Sequence, residues 1–97
     1  MNSTHLITFT FHTSGAGTDE IIDIIQDLRS LWEDRAIESM LFRDAGEPGK
    51  LMLFLLTAEH IDEITRMIQE DPATRDLFTK IRDSKSRLII SFMDRVV

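Results

Sequence analysis

Cysteine is absent from this 97-residue chain, which excludes disulfides, thiolate zinc sites and thiol nucleophiles. A surplus of positive charge is also missing. Acidic residues number 17 against 11 Lys and Arg, for a net charge of −6. Nucleic-acid binders replace counterions with a basic surface, and here the basic residues are scattered among acids, so the expectation is no nucleic-acid partner. No long apolar run occurs. The longest spans Leu51 to Leu56, far short of the ~20 residues a membrane helix requires, so no membrane partner is expected. The opening Met1-Asn2-Ser3-Thr4-His5 has neither the positive start nor the apolar core of a secretory leader, and a cytoplasmic protein is expected.

What is present is the makeup of a globular protein, 42% hydrophobic, short enough to be one domain over residues 1–97. Leu6 to Thr13 is rich in β-branched and aromatic residues in alternation and predicts a strand. Ser14-Gly15-Ala16-Gly17 breaks it. Thr18 then reads as an N-cap, and Ile21, Ile24, Ile25, Leu28, Leu31 and Trp32 recur at helical spacing over residues 19–35. Ile37 to Arg43 predicts a second strand, and Pro48-Gly49 suits a type II turn before the third, Leu51 to Leu56. Thr57 is placed to cap a second helix through Ile61, Ile64, Met67 and Ile68. Asp71-Pro72 interrupts it and starts a further helix with Leu77, Phe78 and Ile81. Arg87 to Asp94 is the last strand. This β-α-β-β-α-β order with a broken second helix predicts an α+β, ferredoxin-like domain: one antiparallel four-stranded sheet with helices on one face.

The strand period of two sorts side chains into faces. The helices are expected to cover Ile7, Phe9, Phe11, Met40, Phe42, Leu88, Ile90 and Phe92. The other face would then carry Leu6, Thr8, Thr10 and His12, with Ile37, Ser39, Leu41, Arg43, Ile89, Ser91 and Met93. That set is too apolar to meet water. A second copy is the simplest cover, because two-fold homodimers are the commonest oligomers. The space between two such sheets would be an apolar pocket with convergent hydroxyls, suited to a small hydrophobic or aromatic ligand. Its expected lining is Thr8, Thr10, Ser39, Leu41, Ser91 and Met93.

The stretch Ile68-Gln69-Glu70-Asp71-Pro72-Ala73-Thr74-Arg75-Asp76-Leu77-Phe78-Thr79-Lys80-Ile81, within this element order, resembles the dimeric α/β-barrel superfamily in its antibiotic-biosynthesis-monooxygenase-like branch. The resemblance implies a dimer with face-to-face sheets. It further implies a cofactor-independent monooxygenase acting on an aromatic or polyketide-like compound, with neither metal nor flavin. The chain has no Tyr, no Asn on its first strand and no His in the second half of the broken helix. A non-catalytic ligand-binding or dimerisation module therefore stays open as the alternative.

The candidate catalytic residues are His12, as a base at the pocket mouth, and Arg43, as an anchor for a ligand carboxylate. His5 and His12 lie an odd number of positions apart on one strand, so they face opposite ways and sit ~23 Å apart at ~3.3 Å per residue. They cannot share a metal, and no metal site is expected. His60 falls at a helix start as a surface residue. The run from Ser14 to Thr18 sits where a phosphate loop would, but Glu20 replaces its third glycine and Asp19 and Asp23 would repel an anion.

Overall fold

The computed structural model describes residues 4–83 and 87–97; the reading of residues 1–3 as no leader lies outside them. The elements run β1 (His5–His12), α1 (Ala16–Asp34), β2 (Ile37–Arg43), β3 (Lys50–Thr57), α2 (Asp62–Glu70), α3 (Pro72–Asp83) and β4 (Ile89–Asp94). One antiparallel sheet of order β2-β3-β1-β4 results. The three helices pack on one of its faces, as the ferredoxin-like reading requires. Between sheet and helices lie Ile7, Phe9, Phe11, Leu51, Leu53 and Leu55 from the two central strands, against Ile21, Ile25, Trp32, Ile64, Met67, Leu77, Phe78 and Ile81. The rings of Phe9 and Phe78 meet at 4.7 Å, tilted by 46°, a geometry aromatic pairs favour.

The ends of α1 differ from the sequence expectation. The helix begins at Ala16, ahead of Thr18, with Gly15 as N-cap at φ 58 and ψ −136; without a Cβ that backbone costs little. Thr18 therefore sits within the first turn, buried, and serves the hairpin instead of capping. Thr13 Oγ1 donates to the Gly49 carbonyl at 3.2 Å. Its single proton is thus used, and Thr18 is the donor in the 2.6 Å pair between the two hydroxyls. At the other end Ala36 takes the left-handed conformation at φ 59, its amide bonded to the Glu33 carbonyl at 2.9 Å.

The Glu47–Lys50 turn closes through the Lys50 amide and Glu47 carbonyl at 2.9 Å. Positive φ among the described residues is confined to Gly15 and Ala36, so this is not the expected type II turn. Gly49 is required for another reason. A Cβ there would stand 2.3 Å from the Thr13 carbonyl oxygen, the chain to which the Gly49 carbonyl is bonded at 2.7 Å. Gly49→Ala is expected to destabilise the fold by about 1–3 kcal/mol, the usual range for a forced overlap. A urea midpoint unchanged from the parent's would contradict this.

Thr57 accepts the Glu59 amide at 3.0 Å and closes the turn after β3; α2 begins later, at Asp62. The break between α2 and α3 is as expected. Asp71 Oδ2 accepts the Thr74 amide at 2.8 Å, capping a helix that has Pro72 at its first position. Thr74 in turn accepts the buried Trp32 indole N–H at 2.9 Å, tying α1 to α3. A second tie is the Lys80–Glu20 ion pair.

The Thr74 hydroxyl, foremost, holds the Asp71 carboxyl below its usual range; burial opposes this, and the Thr74 amide and the Arg35 guanidinium add to it. A folded pKa below the unfolded value of about 3.9 means the stabilisation is complete above that value and is lost as pH falls through the lowered folded pKa. Asp71→Asn is therefore expected to flatten the acid limb of the stability–pH curve, read as urea midpoints across the acidic range. An acid limb of unchanged steepness would remove Asp71 from that role.

Candidate functional site

Cross-strand pairing fixes which side chains share a face. Ile7 pairs with Leu55 and Phe92, Phe9 with Leu53 and Ile90, and Phe11 with Leu51. These form the helix side, the expected sorting for β1 and β4, but the helices do not cover the edge strand as expected: Ile90 stays 42% and Phe92 63% exposed. On β2 the expected sorting is reversed. Ile37, Ser39, Leu41 and Arg43 pair with Thr57, Leu55, Leu53 and Leu51, so they lie on the helix side. Met40 and Phe42, opposite Phe54 and Met52, lie on the open face. The choice from composition failed because both faces of this strand carry apolar residues, and only the hairpin register distinguishes them.

The open face consequently comprises Leu6, Thr8, Thr10 and His12 of β1, Lys50, Met52, Phe54 and Leu56 of β3, Glu38, Met40 and Phe42 of β2, and Ile89, Ser91 and Met93 of β4, apolar but for its hydroxyls and the charged or polar Glu38, Lys50 and His12. No helix covers it. Phe42 is 54% exposed and Ile89 and Met93 are each 49% exposed. Phe42 and Phe54 stack edge to face at 5.3 Å. At the centre, Thr8 lies between Phe54 and Ser91 and is already buried by its neighbours. Thr10 stands two residues on. The structure thus brings together Thr8, Thr10, Ser91 and Met93, and separates them from Ser39, Leu41 and Arg43.

His12 is exposed at the end of the same face, opposite Lys50, with its Nε2 3.3 Å from Glu47 Oε2. A carboxylate at that distance orients the ring. His5 points the other way, its Nδ1 2.6 Å from Asp94 Oδ1, and His60 lies 3.2 Å from Asp62. Among the described residues no three His, Asp or Glu side chains gather in a metal-binding cluster. No described helix is long and apolar enough to cross a membrane.

Two clefts open on the helix side, where the helices stop short of the edge strands. The larger, 470 Å³, runs along β2 beside α1 and is lined by Ile22, Ile25, Gln26 and Arg29 of the helix, by Ser39 to Arg43, and by Leu51. It is here that Ser39, Leu41 and Arg43 meet. Sequence reasoning did not find Arg29 and Gln26 as their companions; the one available signal was that Ile22, Gln26 and Arg29 share a helical stripe. The smaller cleft, 190 Å³, lies beside β4, between Ile90, Phe92, Phe78 and Arg82.

No protein-family model matches the chain, and no curated protein does. Solved structures do match. The fold is shared with solved structures provisionally assigned as antibiotic biosynthesis monooxygenases, the fold that the sequence resemblance implied. Among them is a Caulobacter crescentus protein provisionally assigned as an antibiotic biosynthesis monooxygenase, 16% identical, covering 99% of this chain and 92% of its own, at a TM-score of 0.77. A Deinococcus radiodurans protein with the same provisional assignment is 8% identical, covers 96% and 93%, and superposes at 0.79. SnoaB, a cofactor-independent oxygenase from Streptomyces nogalater, is 14% identical over 100% of this chain and 96% of its own, at 0.72.

Proposed function

We propose that the chain works as a homodimer whose open sheet faces close on each other around a small hydrophobic or aromatic molecule. One observation carries this reading: an uncovered sheet face of Leu6, Met40, Phe42, Phe54, Ile89 and Met93 that holds the hydroxyls of Thr8, Thr10 and Ser91 near its centre. The corrected register keeps the face apolar, since Met40 and Phe42 join it as Ile37 and Leu41 leave, while Glu38 replaces Ser39 and Arg43. Apolar walls with a few convergent polar groups are the usual makeup of a ligand pocket. Thr8, Thr10, Ser91 and Met93 are its proposed lining, and His12 its rim.

The test is a titration with 1-naphthol followed by its own fluorescence. Saturable binding that weakens in Thr8→Val, where the shape is kept and the hydroxyl is lost, supports the pocket. No binding at millimolar concentration, with the dimer intact, would mean that the two faces pack solid and that the module only dimerises.

A cofactor-independent oxygenase is the second reading, favoured by the shared fold with SnoaB. Such chemistry relies on an electron-rich substrate, ionised within a site from which water is excluded, that reduces oxygen itself. Of the two groups expected to assist ionisation, only His12 stands on the open face. Oxygen uptake with a polycyclic phenol, lost in His12→Ala, is the supporting result; equal uptake by parent and variant would dismiss His12 as the base.

A further inference from the structure

The 470 Å³ cleft along β2 belongs neither to the open face nor to its rim, and it exists within a single protomer. Its volume falls within the roughly 300–1,000 Å³ of small-molecule sites. One wall is greasy, formed by Ile22 and Ile25 of α1 with Leu41 of β2. Arg29 and Arg43 enter it from the two sides. Neither takes part in an ion pair or side-chain hydrogen bond among the described residues, although the chain carries 17 carboxylates for its 11 basic residues. Within the same lining, Ser39 is 3% exposed, and its hydroxyl is buried with no hydrogen-bond partner. Buried polar groups are nearly always paired, so an orphan beside a cavity marks a place where something polar is missing.

We infer that this cleft is a binding site for a small organic carboxylate. The apolar body lies against Ile22, Ile25 and Leu41, and the carboxylate is held between the Arg29 and Arg43 guanidiniums, whose planar forks match its two oxygens. Ser39 belongs to the same lining, and its orphaned hydroxyl gains a partner when the entering ligand displaces the side chains that now cover it. An inorganic anion would leave the greasy wall wet, and a neutral aromatic would leave both guanidiniums unused. The assignment is independent of pairing through the open face.

Calorimetric titration with 2-naphthoate, its neutral analogue 2-naphthamide, and sulfate separates these cases. The carboxylate is expected to bind saturably, the amide at least about tenfold more weakly, and sulfate more weakly still. Arg29→Gln and Arg43→Gln are each expected to weaken naphthoate about tenfold, the scale of one charged hydrogen bond. Both side chains are exposed, so the variants should keep the parent's Trp32 fluorescence. Ser39→Ala is expected to weaken binding while leaving the ligand-free melting temperature equal or higher, because it deletes an unpaired buried hydroxyl. The site is overturned if naphthoate and benzoate both fail to bind at millimolar concentration, if the double arginine variant binds as the parent does, or if the amide or sulfate binds as tightly as the carboxylate.

Discussion

The double variant Phe42→Asp, Met93→Asp is expected to sediment as a single subunit at micromolar concentrations, where the parent is expected to sediment as the proposed pair. The two positions lie on opposite edge strands of the open face, 54% and 49% exposed in the protomer. A face-to-face arrangement that covers the whole open face buries both of them. Two-fold symmetry doubles each change, so four apolar side chains are lost from the interface. At about 1.5 kcal/mol each, the low end for burial of such a side chain, the loss is about 6 kcal/mol, or roughly a 10⁴-fold weaker association. Carboxylates that must be desolvated there add to it. Because neither residue belongs to the helix-side core, the circular dichroism and the Trp32 emission should not change. Asp27→Asn on the exposed side of α1 should sediment as the parent does. A parent that is already a lone subunit, or a variant that still pairs, would remove the dimer and with it the enclosed pocket.

Periodicity made the order of elements, the broken second helix and the helix-side faces of β1 and β4 legible. Ile7, Phe9 and Phe11 alternate with polar neighbours, so only one assignment buries them. On β2 the alternation was ambiguous, because Met40 and Phe42 are as apolar as Ile37 and Leu41. Ordinarily the more polar set faces water, but a face of this composition is not suited to water, and that rule then misleads. The register against β3 decides the matter, and it depends on the hairpin loop, where Asp44 Oδ2 accepts the Gly46 and Glu47 amides at 2.9 and 2.8 Å. The candidate site divided along the same line. Thr8, Thr10, Ser91 and Met93 came together as read, while Ser39, Leu41 and Arg43 moved to a cleft whose other half comes from α1. Asp71 caps α3 as read, but the caps expected at Thr18 and Thr57 failed for a related reason: both satisfy loops instead, and loops are set by close approaches, such as Gly49 to Thr13, that no local pattern announces.

The Trp32–Thr74 bond is the long-range contact with the largest expected consequence. Trp32 is fully buried and Thr74 is buried beside it, 42 positions away in sequence. Trp32→Ala should cost about 3–5 kcal/mol, through lost transfer energy and the cavity left behind. Thr74→Val keeps the shape but leaves the indole N–H without an acceptor and Asp71 without its hydroxyl donor, at about 1–3 kcal/mol. In a domain of this size each kcal/mol moves the melting temperature by roughly 4–8 °C, so both changes are measurable by thermal denaturation. Trp32→Phe removes the donor and some volume together, and on its own cannot separate packing from the hydrogen bond. The double-mutant cycle of Trp32→Phe with Thr74→Val can. Once the indole N–H is gone, the valine no longer strands it, so the double variant should cost less than the sum of the singles by on the order of 1 kcal/mol. Strict additivity would mean that the hydrogen bond contributes nothing and that α1 and α3 are held together by packing and the Glu20–Lys80 pair alone.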